Sequence, residues 1–241
     1  MNDKIKDTTL PKDDGTRNFI RALSGELAMP GRCLALHPVI AKLERGELSL
    51  TQITGLMSQI YRQTTEVVRW LGYVYAKCPI LAVRREIFNN LVEEELGGFS
   101  NTDAHYNLAM RVALAAGARR DAVEQAELMP ETRALIAYGE DCYANESNWV
   151  RCLGAAFGFE TQSPTAFGKI GNALRRAYGM SAEEVAFFEV HVDVDEHHGD
   201  AIIDLFEHYA TNPGDHAVIR ERALHFAELY WGMLGTFEHY L

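Results

Sequence analysis

Apolar residues recur at steps of three and four along most of the chain after residue 17, a spacing that predicts amphipathic helices. The clearest stretch starts at Leu50, behind Ser49 as a helix-capping residue, and runs to about Lys77. It ends before Pro79, because the residue preceding a proline disfavours helical geometry. No segment alternates apolar and polar residues between hairpin turns. The pattern therefore predicts an all-α fold.

Proline, glycine and capping residues divide the remainder of the chain into further helices. They are predicted near residues 81–96, 102–117, 119–127, 130–143, 148–160, 165–178, 181–209 and 215–240. The segment 181–184 has the capping-box pattern that starts a helix, whereas the stretch 31–48 is less regular. We find no internal repeat and no linker. Residues 1–16 are therefore predicted as a disordered tail, and residues 17–241 as one helical domain.

Composition narrows the functional classes. The chain has 23 basic and 34 acidic residues and a formal charge of −11, so phosphate would repel it and nucleic-acid binding is not expected. No apolar run approaches the ~20 residues of a membrane span, and the polar N-terminus lacks the apolar stretch of a secretory signal. A cytoplasmic protein with reduced thiols is expected, since its cysteines form no CxxC pair: Cys33, Cys78, Cys142 and Cys152.

The segment 189–199 carries the most specific chemical pattern in the chain. With a turn of ~100° per residue, Asp195 lies about 40° and His198 about −20° from His191 on a helix. Two imidazoles and one carboxylate therefore form a single stripe. Such a set suits a divalent transition metal. One stripe does not complete a coordination sphere, so other helices must contribute ligands.

Several acids and one histidine elsewhere could supply them. The acidic triplet Glu93–Glu95 ends one predicted helix, and His105 follows across a glycine turn. Glu160 lies in an apolar sequence, where a carboxylate must be paired or metal-bound if it is buried. Glu66 lies within the long helix among apolar neighbours. Each has a simpler interpretation: an acidic run is commonly a solvated surface, and a lone histidine is commonly a core residue.

Taken together, these positions favour a metal centre in the bundle core. Helical bundles build dinuclear sites from inward-facing Glu and His on separate helices. Four carboxylates and three histidines suffice for two metal ions with open positions. The candidate ligands are Glu66, Glu95, His105, Glu160, His191, Asp195 and His198.

With these motifs, the sequence resembles the heme-oxygenase-like diiron oxidases and oxygenases, whose fold is shared with thiaminase-like and pyrroloquinoline-quinone-synthesis proteins. The resemblance covers about residues 30–210, and its most specific part is the His-x3-Asp-x2-His element. It implies a heme-oxygenase-like bundle of about seven to nine helices. The matching pieces are 90–97, His105, Glu160, the His191, Asp195 and His198 element, and the N-terminal pieces His37-Pro38 and 46–49.

The resemblance also implies which residues bind metal. It assigns Glu95, rather than Glu94, because the family's E-E-x-G pattern fits residues 94–97. It places Glu66 where the N-oxygenating branch of the family carries an extra carboxylate. The remaining implied ligands are His105, Glu160, His191, Asp195 and His198.

The activity implied by the resemblance is O2 activation at two iron ions that cycle between Fe(II) and Fe(III). Glu66 favours N-oxygenation of an amino acid or similar small amine in a biosynthetic pathway, as an oxidoreductase of the monooxygenase type. Oxidative C–C cleavage or desaturation of an amino or fatty acid is the alternative. A non-catalytic helical binding or regulatory protein is the second alternative. An external electron donor and a homodimer are both open, whereas nucleic-acid and membrane partners are not expected.

Three related activities fit the residues less well. A heme oxygenase would need an axial histidine near the N-terminus, for which His37 is a candidate, but this leaves the other ligands unexplained. A thiaminase-like enzyme would need a nucleophilic cysteine, yet Cys142 and Cys152 have no clear activating base nearby in sequence. The cofactor-free quinone-synthesis enzymes need no such ligand set. The aromatic C-terminal helix is expected to close the core, with a dimer contact as the alternative.

Overall fold

The chain folds as a helical bundle. A computed structural model describes residues 14–240, apart from the side chains of 193–197. Within this part there are eleven α-helices and no strand, which confirms the all-α prediction. They are α1 (Asp14–Leu27), α2 (Pro38–Glu44), α3 (Leu50–Lys77), α4 (Leu81–Leu96), α5 (His105–Ala115), α6 (Arg120–Glu124), α7 (Pro130–Glu140), α8 (Trp149–Glu160), α9 (Ser163–Tyr178), α10 (Ala186–Tyr209) and α11 (Pro213–Leu234).

The helix count exceeds the predicted seven to nine because α1 and α2 precede the nine helices read from the sequence. Helix α2 has only seven residues. It begins where His37 accepts a hydrogen bond from the Val39 amide and Pro38 occupies the first turn. Residues 14–16 of the predicted tail belong to α1, and residues 1–13 lie outside the described part of the chain.

The start of α3 follows its sequence signal closely. Ser49 accepts a hydrogen bond from the Gln52 amide at 3.1 Å, and the Gln52 side chain accepts one from the Ser49 amide at 3.0 Å. This reciprocal pair satisfies two amides that have no partner within the helix. The equivalent bonds form between Ser181 and Glu184, but α10 itself begins only at Ala186, after an irregular turn.

Helix α8 runs through the core and packs closely against α11. Two of its glycines permit this approach. A methyl group added at Gly154 would lie 2.9 Å from the Ile219 carbonyl oxygen, and one added at Gly158 would overlap the Ala223 carbonyl. The two backbones therefore meet where side chains would separate them. Glu160, two residues after Gly158 at the end of α8, is positioned by this close helix packing.

The predicted helix 130–143 does not continue regularly to its end. A π-helical turn, Asp141–Asn145, follows α7 and widens the backbone. The ammonium group of Lys77 donates to the carbonyls of Tyr143, Ala144 and Glu146, and so holds this turn against the end of α3. Tyr143 is buried and stacks on Trp70, with ring centroids 5.5 Å apart. The π-turn therefore directs an aromatic side chain inward.

Of the C-terminal aromatic residues, Phe226, Tyr230 and Phe237 are buried in the core, as the sequence interpretation favoured, whereas Trp231 and Tyr240 are only half-buried. Along the part of the chain that the structure describes, no helix combines the length and apolar character needed to cross a bilayer.

Candidate metal centre

Three buried side chains from three helices converge in the bundle. They are Glu94 near the end of α4, His105 at the start of α5, and His191 in α10. One potential ligand atom from each lies within 4.8 Å of the other two. His105 Nδ1 is 3.0 Å from Glu94 Oε2, and the two imidazole centroids are 4.5 Å apart. These residues form the inner cluster.

The turn between α4 and α5 brings Glu94 and His105 together. Gly97 ends α4 with a φ of 61°, a left-handed conformation that favours glycine. The following loop folds back so tightly that a Cβ at this position would lie 2.6 Å from the Asp103 amide nitrogen. His105 is the first residue of α5. The glycine turn predicted from the sequence therefore places the histidine against the acidic end of α4.

Glu93, the neighbour of Glu94, contacts the opposite side of the His105 ring. Its Oε1 lies 3.2 Å from His105 Nε2. Its Oε2 accepts hydrogen bonds from the Phe99 and Ser100 amides at 2.7 and 3.0 Å. The sequence interpretation did not assign Glu93 any separate role, because its role depends on how the loop folds.

Electrostatics within the cluster favour an ion pair in the absence of metal. Burial alone would raise the pKa of Glu94, but His105 holds it far below its usual value. Burial would likewise lower the pKa of His105, but Glu94 and Glu93 raise it to about 9. Burial and the neighbouring His105 lower the pKa of His191 to about 4. His191 is thus a neutral imidazole at neutral pH, with a lone pair available for a metal.

A second pair lies beside the inner cluster. His198 Nδ1 of α10 is 3.5 Å from Glu160 Oε2 at the end of α8. Glu160 lines the same cavity as Glu94 and His191. Asp195, the third member of the predicted stripe, has its side chain outside the described residues. Of the candidate ligands, Glu94, His191 and Glu160 therefore line one cavity, while His105 contacts Glu94 and His198 contacts Glu160.

The cavity between these groups is small, at about 60 Å³. Its wall is mainly apolar and aromatic, with Glu94, Glu160 and His191 among the lining residues. Glu160 also borders an open outer groove of about 450 Å³ that includes Thr165, Val192, Gly199 and Asp200. The other residues of the cavity wall are Gln63, Thr64, Val67, Trp70, Tyr143, Ala156, Phe159, Phe187, Phe226 and Tyr230.

Two predicted ligands lie elsewhere. Glu95 is exposed, and Glu94 occupies the place expected for it, because adjacent helical residues point ~100° apart. Glu66 of α3 is outside the cavity wall, and its Oε2 pairs with the Arg69 guanidinium at 2.6 Å. Arg69 also reaches Glu140 of α7 at 3.5 Å. Glu66 thus belongs to a surface charge network, because a cation one turn along the helix holds its carboxylate.

The residues considered for related activities have other roles. Nδ1 of His37 accepts a hydrogen bond from the Val39 amide, and the ring packs edge-on against Trp231 with the ring centroids 4.5 Å apart. Burial raises the pKa of the Cys142 thiol to about 12 and also raises that of Cys152. Such thiols are weak nucleophiles at neutral pH. The geometry thus offers no support for an axial heme ligand or an activated cysteine at these positions.

The donor set fits a redox metal such as iron. Carboxylate oxygen suits the harder ferric ion, and imidazole nitrogen suits the ferrous ion. A buried carboxylate without such partners would be strongly unfavourable. His191 Nδ1 lies 2.6 Å from the Phe187 carbonyl oxygen, so this nitrogen donates a hydrogen bond and Nε2 remains for a metal. The inner cluster therefore has the chemistry of a preformed metal site.

Known proteins share both the sequence pattern and the fold. Residues 55–231 match the family model described as iron-containing redox enzyme. A 4-aminobenzoate synthase from Nitrosomonas europaea is 27% identical over 220 residues, which cover 87% of this chain and 87% of that protein. The region matched by the family model contains all three residues of the inner cluster.

Solved structures show the same architecture at low sequence identity. A domain with a heme oxygenase-like fold from Shewanella denitrificans has a TM-score of 0.72 and 16% identity, over 96% of this chain and 94% of that one. A TenA homolog from Pseudomonas syringae has a TM-score of 0.76 and 11% identity, over 92% and 93%. The predicted heme-oxygenase-like fold is thereby confirmed.

Proposed function

Because the chain belongs to the iron-containing redox enzyme family, we propose that it is a non-heme diiron oxygenase that uses O2 to oxidise a small amine. The observation that carries the proposal is the convergence of Glu94, His105 and His191, all buried, with ligand atoms within 4.8 Å of one another. In this proposal the first iron ion binds to these three residues.

The second iron ion is assigned to Glu160 and His198, with Asp195 as the predicted third ligand. The Glu160 carboxylate supports this assignment because it faces the same cavity as Glu94 and His191. His198 also acts electrostatically on Glu94, which indicates that the two groups of ligands lie close to each other. A carboxylate between two metal positions can bind either or bridge both.

Iron, when bound, supplies the electrons and the open coordination positions needed to reduce O2. The residues of the chain orient the metal-binding atoms and exclude water. The inner cluster orients its donors before metal arrives, since the Phe187 carbonyl fixes the His191 ring. The apolar wall, with Phe159, Phe187 and Phe226, excludes water from the reacting atoms. The ligands thus need little rearrangement during turnover.

The proposed substrate is a small amine that approaches from the outer groove. The inner cavity is small, at about 60 Å³, and shares Glu160 with the outer groove, so in this proposal the substrate presents its reacting atom from the groove. The groove carries the Glu160 and Asp200 carboxylates, which suit an ammonium group. The Nitrosomonas europaea relative is named for forming an aromatic amine, which supports amine chemistry. An external donor would return iron to the ferrous state.

Metal loading and an amine screen test the proposal. Anaerobic addition of Fe(II) should load two ions per chain, and subsequent O2 should be consumed and produce a transient visible absorption band. Glu94→Ala should lose bound iron and O2 uptake, whereas Glu95→Ala, its exposed neighbour, should retain both. A chain that binds no iron would overturn the proposal.

Mass spectrometry of amine substrates distinguishes the reaction types. Incorporation of one or more atoms from 18O2 at nitrogen supports N-oxygenation. Loss of a carbon fragment from the substrate would favour oxidative C–C cleavage and would contradict the N-oxygenase assignment, while leaving the diiron centre in place.

A further inference from the structure

We propose that Glu93 is a positioning residue that selects Nδ1 of His105, rather than Nε2, as the metal-binding atom. This inference rests on the proposed function, because it concerns the metal site of that function. It adds a residue that is not itself a ligand. It also predicts that the two histidines of the inner cluster bind through different ring nitrogens.

The Glu93 carboxylate is fixed on both of its oxygens. The residue is 2% exposed. Oε2 accepts from the Phe99 and Ser100 amides, which lie in the loop between α4 and α5. Oε1 is then directed at His105 Nε2, 3.2 Å away. The two amide hydrogen bonds to Oε2 thus hold the carboxylate in one orientation, with Oε1 toward the ring.

Because this carboxylate already accepts two amide hydrogen bonds on Oε2 and acts as an acceptor there, its contact with the ring is a hydrogen bond when His105 carries its proton on Nε2. In the neutral ring the lone pair then lies on Nδ1. That atom is 3.0 Å from Glu94 Oε2 and faces the inner cluster. Glu93 therefore sets the tautomer in which His105 presents a metal-binding nitrogen to the cluster.

His191 has the opposite arrangement. Its Nδ1 is 2.6 Å from the Phe187 carbonyl oxygen, an acceptor that fixes the proton on Nδ1 and leaves Nε2 for the metal. His191, whose Nδ1 donates to a backbone carbonyl of its own helix, thus binds the metal through Nε2. His105, whose outer nitrogen meets a side-chain carboxylate from another helix, binds through Nδ1.

The loop contacts explain why a glutamate suits this position. A glutamine at 93 offers one oxygen and one NH2 group. If the oxygen receives the two loop amides, the NH2 group faces His105 Nε2 and favours the proton on Nδ1, where it blocks the metal. If the amide is reversed, its NH2 group meets the Phe99 and Ser100 amides, donor against donor. Either arrangement weakens metal binding.

Nuclear magnetic resonance of the Zn(II)-loaded protein tests the inference without any measurement of turnover. Histidine labelled with 15N reports which ring nitrogen holds a proton and which binds zinc, and loss of a signal in His105→Gln identifies the ring. We expect His105 to bind zinc through Nδ1 with a proton on Nε2, and His191 to show the reverse. Zinc bound to His105 through Nε2 would overturn the inference.

Competition titrations with Zn(II) test the role of Glu93 separately. Glu93→Gln should weaken binding ~10–100-fold, the usual effect of losing a residue that orients a ligand. Glu95→Gln removes the same charge from the adjacent exposed residue and should remain within twofold of the parent. If Glu93→Gln fails to fold, Glu93→Asp is used, since its shorter side chain cannot reach both the loop and the ring.

The outcomes separate the inference from the proposed function. If the parent protein binds zinc or iron, and Glu93→Gln or Glu93→Asp binds zinc as tightly as Glu95→Gln does, the role of Glu93 is contradicted. The diiron proposal then still stands. A parent protein that binds neither metal overturns the proposed function, and the inference falls with it.

Discussion

Gly158 of α8 lies directly against the Ala223 carbonyl of α11, where a methyl group would overlap the oxygen. Gly158→Ala must therefore separate the two helices, and we expect it to lower the free energy of unfolding by ~1–3 kcal/mol. Chemical denaturation of the metal-free protein measures this. Gly72→Ala is the matched control, because a methyl group at that helical position meets nothing within 4 Å. It should instead stabilise the protein by up to ~1 kcal/mol.

The adjacent acids Glu94 and Glu95 provide a direct test of which one binds metal. Glu94→Ala should abolish high-affinity Fe(II) binding at the inner cluster, because it removes the only carboxylate that the structure places in that three-residue group. Glu95→Ala should bind as the parent does, because its side chain is exposed. Equilibrium dialysis with iron analysis measures both. The reverse result would support the assignment made from the E-E-x-G pattern.

Much of the fold followed from sequence signals that act locally. The bounds of α3 could be predicted because Ser49 and Gln52 form a capping box and Pro79 follows the helix. The placement of His191 and His198 on one side of α10 follows from helical periodicity alone. Both predictions depend only on residues within a few turns of one another.

The site details depend on contacts between distant segments. Whether Glu94 or Glu95 faces inward is decided by the orientation of α4 against α5 and α10, which a triplet of identical residues does not reveal. The role of Glu93 requires the amides of Phe99 and Ser100 to point at it. The π-turn that directs Tyr143 inward depends on Lys77 from another helix. None of these has a signature in a single sequence.

Metal affinity should rise with pH. Glu94 and Glu93 raise the pKa of His105 to about 9, so below that pH a proton must leave this ring before a metal can bind. His191, with its pKa lowered to about 4, is already neutral above pH ~5 and releases no proton when a metal binds. We expect Zn(II) affinity to increase by up to ~tenfold per pH unit between pH 6.5 and 8.5. Competition titrations measure it, and a pH-independent affinity would contradict the ion pair.

The same raised pKa predicts how the stability of the metal-free protein depends on pH. A folded-state pKa above the ordinary histidine value of 6.5 contributes stability that is complete below pH 6.5 and is lost as the pH rises through about 9. The Tm of the metal-free protein should therefore fall over this range. Zn(II)-loaded protein should show a smaller decrease, because the metal replaces the proton. Equal slopes with and without zinc would contradict this prediction.

Glu66 is expected to be dispensable for metal binding. Its carboxylate pairs with Arg69 in a partly exposed network, and such pairs contribute ~0–1 kcal/mol. Glu66→Ala should therefore keep the full iron content and change the free energy of unfolding by no more than that amount. Iron analysis and denaturation check the two parts. Loss of one iron per chain would restore Glu66 as a ligand and, with it, the original reason for preferring N-oxygenation.

The outer groove is expected to be the route by which small molecules reach the metals. Thr165 is an exposed residue of the groove, which meets the inner cavity at Glu160. Thr165→Trp should fill the groove and slow azide binding to the Fe(III)-loaded protein several-fold, without changing iron content. Lys169→Trp, one turn further along α9 and also exposed, is the control and should bind azide at the parental rate. Equal rates in both variants would mean that ligands enter elsewhere.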